Sequence, residues 1–210
     1  LVLVSFAGTD ISPQSGIGAL IRDYSIGGVI LKPQNGNFNA DDQGGTLVSS
    51  QDVVSMTAQL QSIAWSASQS ISVPLESEPG LPHRPPYVPM LIAAEPSKSG
   101  FPPTSLVSDA SALPTPLAIG ATWNPELAAS VGAVLAQELT VLGFNLYLGP
   151  GLDVLYTPRP GDPVDLGTAT FGSDPFWVGQ MGTAYLQGLH QGSEGKLLVA
   201  PRHLPGLGSA

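Results

Sequence analysis

The sequence predicts an α/β fold on a parallel sheet, and three observations lead there. Five short apolar runs recur along the 210 residues, and four segments with helical spacing and N-terminal caps lie between them. Residues able to hold a polar ligand gather in the loops that follow the apolar runs, where α/β folds keep their chemistry.

The elements follow in order. Residues 1–6, LVLVSF, form the first strand. Ser12 before Pro13 predicts an N-cap with Pro in the first turn; Leu20, Ile21 and Tyr24 give that helix an apolar face, and Gly27 and Gly28 end it. Val29 to Leu31 is the second strand. A second helix is predicted over 51–65, with Val53, Met56, Leu60, Ile63 and Ala64 at helical spacing and Ser50 as its cap. The stretch SVPLESEPGLPHRPPYVP, within 69–89, is predicted to be a Pro-rich extended surface loop, because Pro donates no ladder hydrogen bond. Met90 to Ala94 is the third strand. In the third helix Asn124 caps, Pro125 opens, and Leu127, Val131, Val134, Leu135, Leu139 and Leu142 line one face up to a Gly143 stop. Residues 144–148 form the fourth strand. Asp174 and Pro175 open a fourth helix that turns Trp177, Met181, Tyr185 and Leu189 inward, and residues 196–200 form the fifth strand. Such alternation fits both an open doubly wound sheet and a (β/α)₈ barrel.

Composition excludes several function classes. A formal charge of -9 with seven Lys and Arg leaves too few cations to neutralise a phosphate backbone, so nucleic acid is not expected as a partner. No run of about eighteen apolar residues would span a bilayer. With no cysteine there is no disulfide, thiolate metal site or Cys nucleophile, and neither metal nor cofactor is expected. The opening at Leu1, inside an apolar run, suits a processed secreted or cell-envelope protein and equally a trimmed piece. No G-x-S-x-G elbow, P-loop or H-E-x-x-H occurs, and PGLGSA lacks the third Gly and helix of a phosphate-binding turn.

Four stretches together resemble the N-terminal (β/α)₈ domain of family 3 glycoside hydrolases, in that family's order. IRDYSIGGVILK is similar to I-x-x-x-x-I-G-G-V-I-L-F, and residues 116–154 are similar to a helix M-A-L-G-A-T-x-D-P-x-L-A running into G-I-N-x-x-x-A-P-V-L-D-V. TATFGSDPFWVGQMGTAYLQGL resembles x-R-S-F-G-x-D-P with its helix, and APRHLPGLG resembles A-K-H-F-P-G-H-G. The resemblance implies that residues 1–210 are an incomplete barrel domain of about five βα units, a partial TIM-type (β/α)₈ barrel, with the rest of the barrel expected C-terminal to Ala210.

The implied site is read residue by residue. In the family an acidic residue of I-A-x-D-x-E-G-G binds sugar hydroxyls, and Glu95 of LIAAEP stands at that place with one more methylene. The Glu-Gly-Gly and downstream Arg of that motif are replaced by SKSGFP. Ala169 stands where R-S-F-G has its Arg, and Leu207 where P-G-H-G has its His. The family's Lys-His pair becomes Arg202-His203, a planar fork in place of a point charge. Asp153 matches the Asp of L-D-V, with a bracing role around the pocket. Glu95, Arg202 and His203 are therefore the expected substrate-binding residues, and carbohydrate is the expected partner.

No catalytic residue is expected within these 210 residues. A retaining glycosidase needs a carboxylate nucleophile and an acid/base. The resemblance puts the nucleophile after the seventh strand and, in the hexosaminidase branch, a His acid/base shortly after the motif on which this chain ends. The implied activity is hydrolysis of β-linked N-acetylhexosaminides or glucosides by the full-length protein, the 210 residues alone being inactive. The alternative is a catalytically silent relative that binds carbohydrate or serves as a scaffold. Outside the site, His190 reads as a structural residue in the last turn of a helix, His83 as solvent-facing, and Asn35-Gly36-Asn37 as a plain turn.

Overall fold

The computed structural model describes residues 2–38, 49–70, 73–75, 78–83, 86–95, 107, 110–157 and 166–206. Along the chain run β1 (Leu3–Ser5), α1 (Gly16–Tyr24), β2 (Gly28–Leu31), a 3₁₀ turn (Pro33–Asn35) and α2 (Ser50–Ser70). They are followed by β3 (Val73–Leu75), β4 (Glu78–His83), β5 (Leu91–Ala94), α3 (Pro116–Gly120), α4 (Pro125–Val141), β6 (Leu146–Tyr147), α5 (Pro175–Gly192) and β7 (Leu198–Val199).

Five strands form one sheet in the order β1-β2-β5-β6-β7, every neighbouring pair parallel. A doubly wound sheet reverses its direction of growth at a switch point, whereas here each strand of the sheet adds to the same side. The sheet is therefore an arc of a (β/α)₈ barrel comprising its first five parallel strands. Val29, Leu31, Ile92, Ala93 and Ala94 have no exposed surface, as expected for strands covered on both faces. The five strands are the five apolar runs of the sequence, four of them shortened and β2 extended by Gly28.

Capping decides where the helices begin. Asn124 Oδ1 accepts from the N–H groups of Glu126 and Leu127, and Asp174 Oδ1 from that of Trp177, each cap being followed by Pro. The first cap is Ser15 and not Ser12. Ser15 Oγ accepts from Gly18 N–H at 3.1 Å, while the Ser12 carbonyl accepts from the Ser15 N–H and hydroxyl in the turn before the helix. Ser49 rather than Ser50 caps α2: its hydroxyl accepts from Asp52 N–H, and the Asp52 carboxylate reaches back to Ser49 N–H, a reciprocal box.

The apolar stripes shift by a residue or two from those the spacing predicts. On α1 the buried residues are Ile17, Gly18 and Ile21, while Leu20 and Tyr24 face water. On α4 Leu127 and Val134 are exposed, and Ala128, Val131, Gly132, Leu135, Ala136 and Leu139 are buried. The cause is α5, which crosses α4 so closely that a side chain at Gly188 would collide with the Ala129 backbone. Small residues therefore belong in the seam, and the branched ones flanking it are left outside. Trp177 is half-buried, with Val178 taking the inward place beside Met181, Tyr185 and Leu189. Gly143, with φ +87°, ends α4 as predicted, and Thr57 of α2 donates its hydroxyl to the Leu142 carbonyl at 2.9 Å, tying the end of α4 to α2.

The Pro-rich segment is not a structureless loop. Helix α2 continues to Ser70, and β3 and β4 pair antiparallel with Val73 opposite His83 and Pro74 opposite Pro82. In a two-stranded ribbon both strands are edges, so Pro can occupy positions whose missing N–H would have pointed away from the partner. Short helix α3 also escapes a reading by apolar period, yet Thr115 caps it by accepting from Ala118 N–H and Pro116 opens it.

Candidate functional site

The parallel register builds the site. Leu31, Ala94, Tyr147 and Val199 are paired across β2, β5, β6 and β7 in one row, so Lys32 and Glu95 are neighbours one step beyond it. The segment after β7 continues alongside that after β6. Arg202 N–H donates to the Pro150 carbonyl at 3.0 Å, Leu152 N–H donates to the Arg202 carbonyl at 2.6 Å, and Gly151 bridges Arg202. Backbone pairing thus carries Arg202 and His203 to the carboxyl ends of the strands. The Gly149–Pro150, Arg202–His203 and Leu204–Pro205 peptides are cis.

Two charged groups result. Glu95 sits between two cations: its Oε1 accepts from Arg202 Nη1 at 2.7 Å, and its Oε2 pairs with Lys32 Nζ. Burial pushes the Glu95 carboxyl up, but Lys32 and Arg202 outweigh it and hold the group below the usual glutamate value. Beside it, His203 Nδ1 lies 2.6 Å from Asp153 Oδ2, and His203 N–H donates to the same oxygen at 3.3 Å. The Asp153 side chain is 2% exposed and that of His203 32%, so the carboxylate fixes the ring from beneath while the imidazole reaches the surface. Asp153 thus makes a bracing contact.

Tyr147 ends β6 below the charged groups and is hydrogen-bonded to Tyr185 of α5. Burial pushes the Tyr147 phenol up despite the nearby Arg202 cation and the Tyr185 bond, and burial and Tyr147 together push Tyr185 up, so both stay neutral. Among the described residues, the grooves elsewhere lack such convergence of charge. One between α1 and α2 is lined by Pro13, Gly18, Arg22 and small residues of α2, and another at the amino-terminal end of the sheet is lined by apolar and small residues.

The structure brings the three sequence-predicted residues together: Arg202 bonds Glu95, and His203 follows Arg202 on Asp153. Leu207 lies outside the described residues, as does the whole SKSGFP segment; only the backbone of His83 is described, in β4, and His190 sits in the last turn of α5. Sequence reasoning missed Lys32 and the role of Asn37. Asn37 is fully buried; its Oδ1 accepts from Lys32 N–H at 2.9 Å, and its Nδ2 donates to the Phe6 and Gly8 carbonyls at 3.1 and 2.8 Å. This is a strut between the ends of β1 and β2, more than a turn. One signal for Lys32 was present: it follows the last apolar residue of its strand, the same position that Glu95 holds in its own.

A barrel arc with a charged cluster beyond its strand ends is the architecture of (β/α)₈ enzymes, which keep their sites on that face. The chain belongs to glycosyl hydrolase family 3: the model of the family's N-terminal domain matches residues 84–210. It is 30% identical over 98 residues to a beta-xylosidase of Formosa agariphila, covering 44% of this chain and 13% of that protein. It is 39% identical over 83 residues to a beta-hexosaminidase of Hydrogenovibrio crunogenus, covering 40% of this chain and 21% of that protein. In fold it is similar to a family 3 beta-N-acetylglucosaminidase from Paenibacillus sp. FPU-7, with TM-score 0.72 and 24% identity over 98% of this chain and 32% of that one. The match covers less than a third of the length of each of these three proteins.

Proposed function

We propose that the protein carrying this chain is a retaining glycoside hydrolase acting on β-linked sugars of the N-acetylhexosaminide or glucoside type. These residues supply its sugar-binding face. The observation that supports the reading is the convergence of Glu95, Arg202 and His203 at the strand ends of a family 3 barrel, with Arg202 2.7 Å from Glu95 and His203 2.6 Å from Asp153. A carboxylate accepts from sugar hydroxyls, while a guanidinium and an imidazole donate to their oxygens.

Among the described residues the two carboxylates of the site, Glu95 and Asp153, are each engaged by a cation or imidazole, and we assign them to holding and bracing. Double displacement requires a nucleophilic carboxylate and an acid/base flanking the glycosidic bond. We assign both to the remaining strands of the barrel, so that the 210 residues alone turn over no substrate.

The test is an assay of the full-length protein on aryl β-N-acetylglucosaminide and aryl β-glucoside, with the first-formed anomer identified by NMR. Release of the β-anomer from either substrate is the expected result. Saturable sugar binding without turnover would leave a binding module, and absence of both would end the reading.

A further inference from the structure

We propose that Lys32 is a positioning residue: with Arg202 it clamps Glu95 from two sides and fixes that carboxylate to receive a sugar hydroxyl. The inference rests on the assignment of Glu95 to substrate made above.

The geometry divides the carboxylate between two cations from different strand ends. Lys32 Nζ, beyond β2, takes Oε2, and Arg202 Nη1, beyond β7, takes Oε1 at 2.7 Å. An ionised carboxylate accepts at about four lone-pair positions, so two cation contacts leave acceptor capacity for a ligand. The Glu95 side chain keeps 24% of its surface exposed, through which a hydroxyl can approach.

Lys32 is itself held in place. Its N–H donates to the fully buried Asn37, which is anchored in turn to the Phe6 and Gly8 carbonyls. The origin of a long, flexible side chain is thereby fixed relative to both β1 and β2, and that side chain is 32% exposed. In the family motif that this stretch resembles, the corresponding residue is an apolar Phe, so the clamp belongs to this chain's own residues. Among the described residues the charged groups acting on Glu95 are Lys32 and Arg202, and together they outweigh burial in keeping it ionised.

The experiment uses Lys32→Met and Lys32→Arg in the full-length protein. The ¹³C carboxyl resonance of Glu95 is titrated without ligand, and affinities for N-acetylglucosamine and glucose are measured from about pH 3 to about pH 7, spanning the carboxylate range. In Lys32→Met the Glu95 midpoint moves to higher pH. Sugar affinity near neutrality weakens by about fivefold, the upper end for a half-exposed pair, and falls further on acidification. Lys32→Arg, which keeps the charge, recovers most of the affinity and the lower midpoint. An unchanged midpoint and affinity in Lys32→Met overturns the proposal, and so does tighter binding, which would make Lys32 a competitor of the sugar. A wild-type protein that binds neither sugar overturns the assignment of Glu95 to substrate, while the ligand-free titration still decides whether Lys32 clamps it.

Discussion

The α4–α5 seam and the strand-end cluster are organised by opposite physical demands. In the seam, Gly132 meets the backbone of Tyr185 and Leu189, and Gly188 and Gly192 meet that of Ala129 and Ala133, and what matters is volume: close approach leaves no room for a larger side chain. In the cluster, Lys32, Glu95, Asp153, Arg202 and His203 arrive from four strand ends, and what matters is compensation of charge and hydrogen-bonding capacity. A half-buried charge must find its partner or forfeit solvation, whereas a glycine in a seam needs only space. The scaffold therefore fails by overfilling and the site by being left unpaired.

The sharpest way to break this contrast is Gly188→Leu. Its side chain runs into the Ala129 backbone, so urea unfolding is expected to show a loss of about 3 kcal/mol, with sugar binding retained in whatever fraction remains folded. An unchanged midpoint would mean that the helices separate at little cost and that the seam is not limited by volume.

Asp153→Ala tests the other side. It removes the carboxylate beneath His203 and leaves the ring and the His203 N–H without that acceptor, for a loss of about 2 kcal/mol and about a tenfold drop in sugar affinity. Affinity that falls while stability holds would sharpen the comparison, making Asp153 wholly a residue of the site.

The smallest stability effect is expected for Glu95→Gln, at about 1 kcal/mol or less because solvent screens the two pairs. Its sign with pH is definite. The native carboxyl is held below the ordinary glutamate value of 4.5, so its stabilising contribution is complete above that value and disappears as pH falls through the depressed one. Wild-type and Glu95→Gln unfolding curves should therefore converge on the acid side and separate towards neutrality. Curves that run parallel throughout would show that Lys32 and Arg202 do not act on the Glu95 charge.

The two regions also differ in how far they could be read beforehand. Asn124-Pro125 and Asp174-Pro175 announce the starts of α4 and α5, because a cap is satisfied within three residues of itself. The face each helix buries was read less well: Leu127 and Val134 are as apolar as Val131, and only the closeness of α5 leaves them in water. The Pro-rich segment misled for a related reason. Pro forbids a central strand and not an edge, and pairing of β3 with β4 depends on a partner that local composition does not describe. Within the site, motif likeness points to Glu95, Arg202 and His203, whereas Lys32 stands where the motif it resembles has an apolar Phe and so carries no such signal.

Residues a few positions apart were enough to set the five strands of the parallel sheet, the Asn124 and Asp174 caps, the Gly143 stop and the order of the βα units, whereas the caps of α1 and α2 and the β3–β4 ribbon were not legible locally. Two candidates remained for the sheet, and the unbroken parallel order of β1, β2, β5, β6 and β7 decided for a barrel arc. Tertiary structure alone decided which charges meet. The Arg202–Glu95 contact joins residues 107 apart and the His203–Asp153 contact residues 50 apart. Such pairs are set by strand register, a property of the assembled sheet, and register is what brings Lys32 and Arg202 to the same carboxylate.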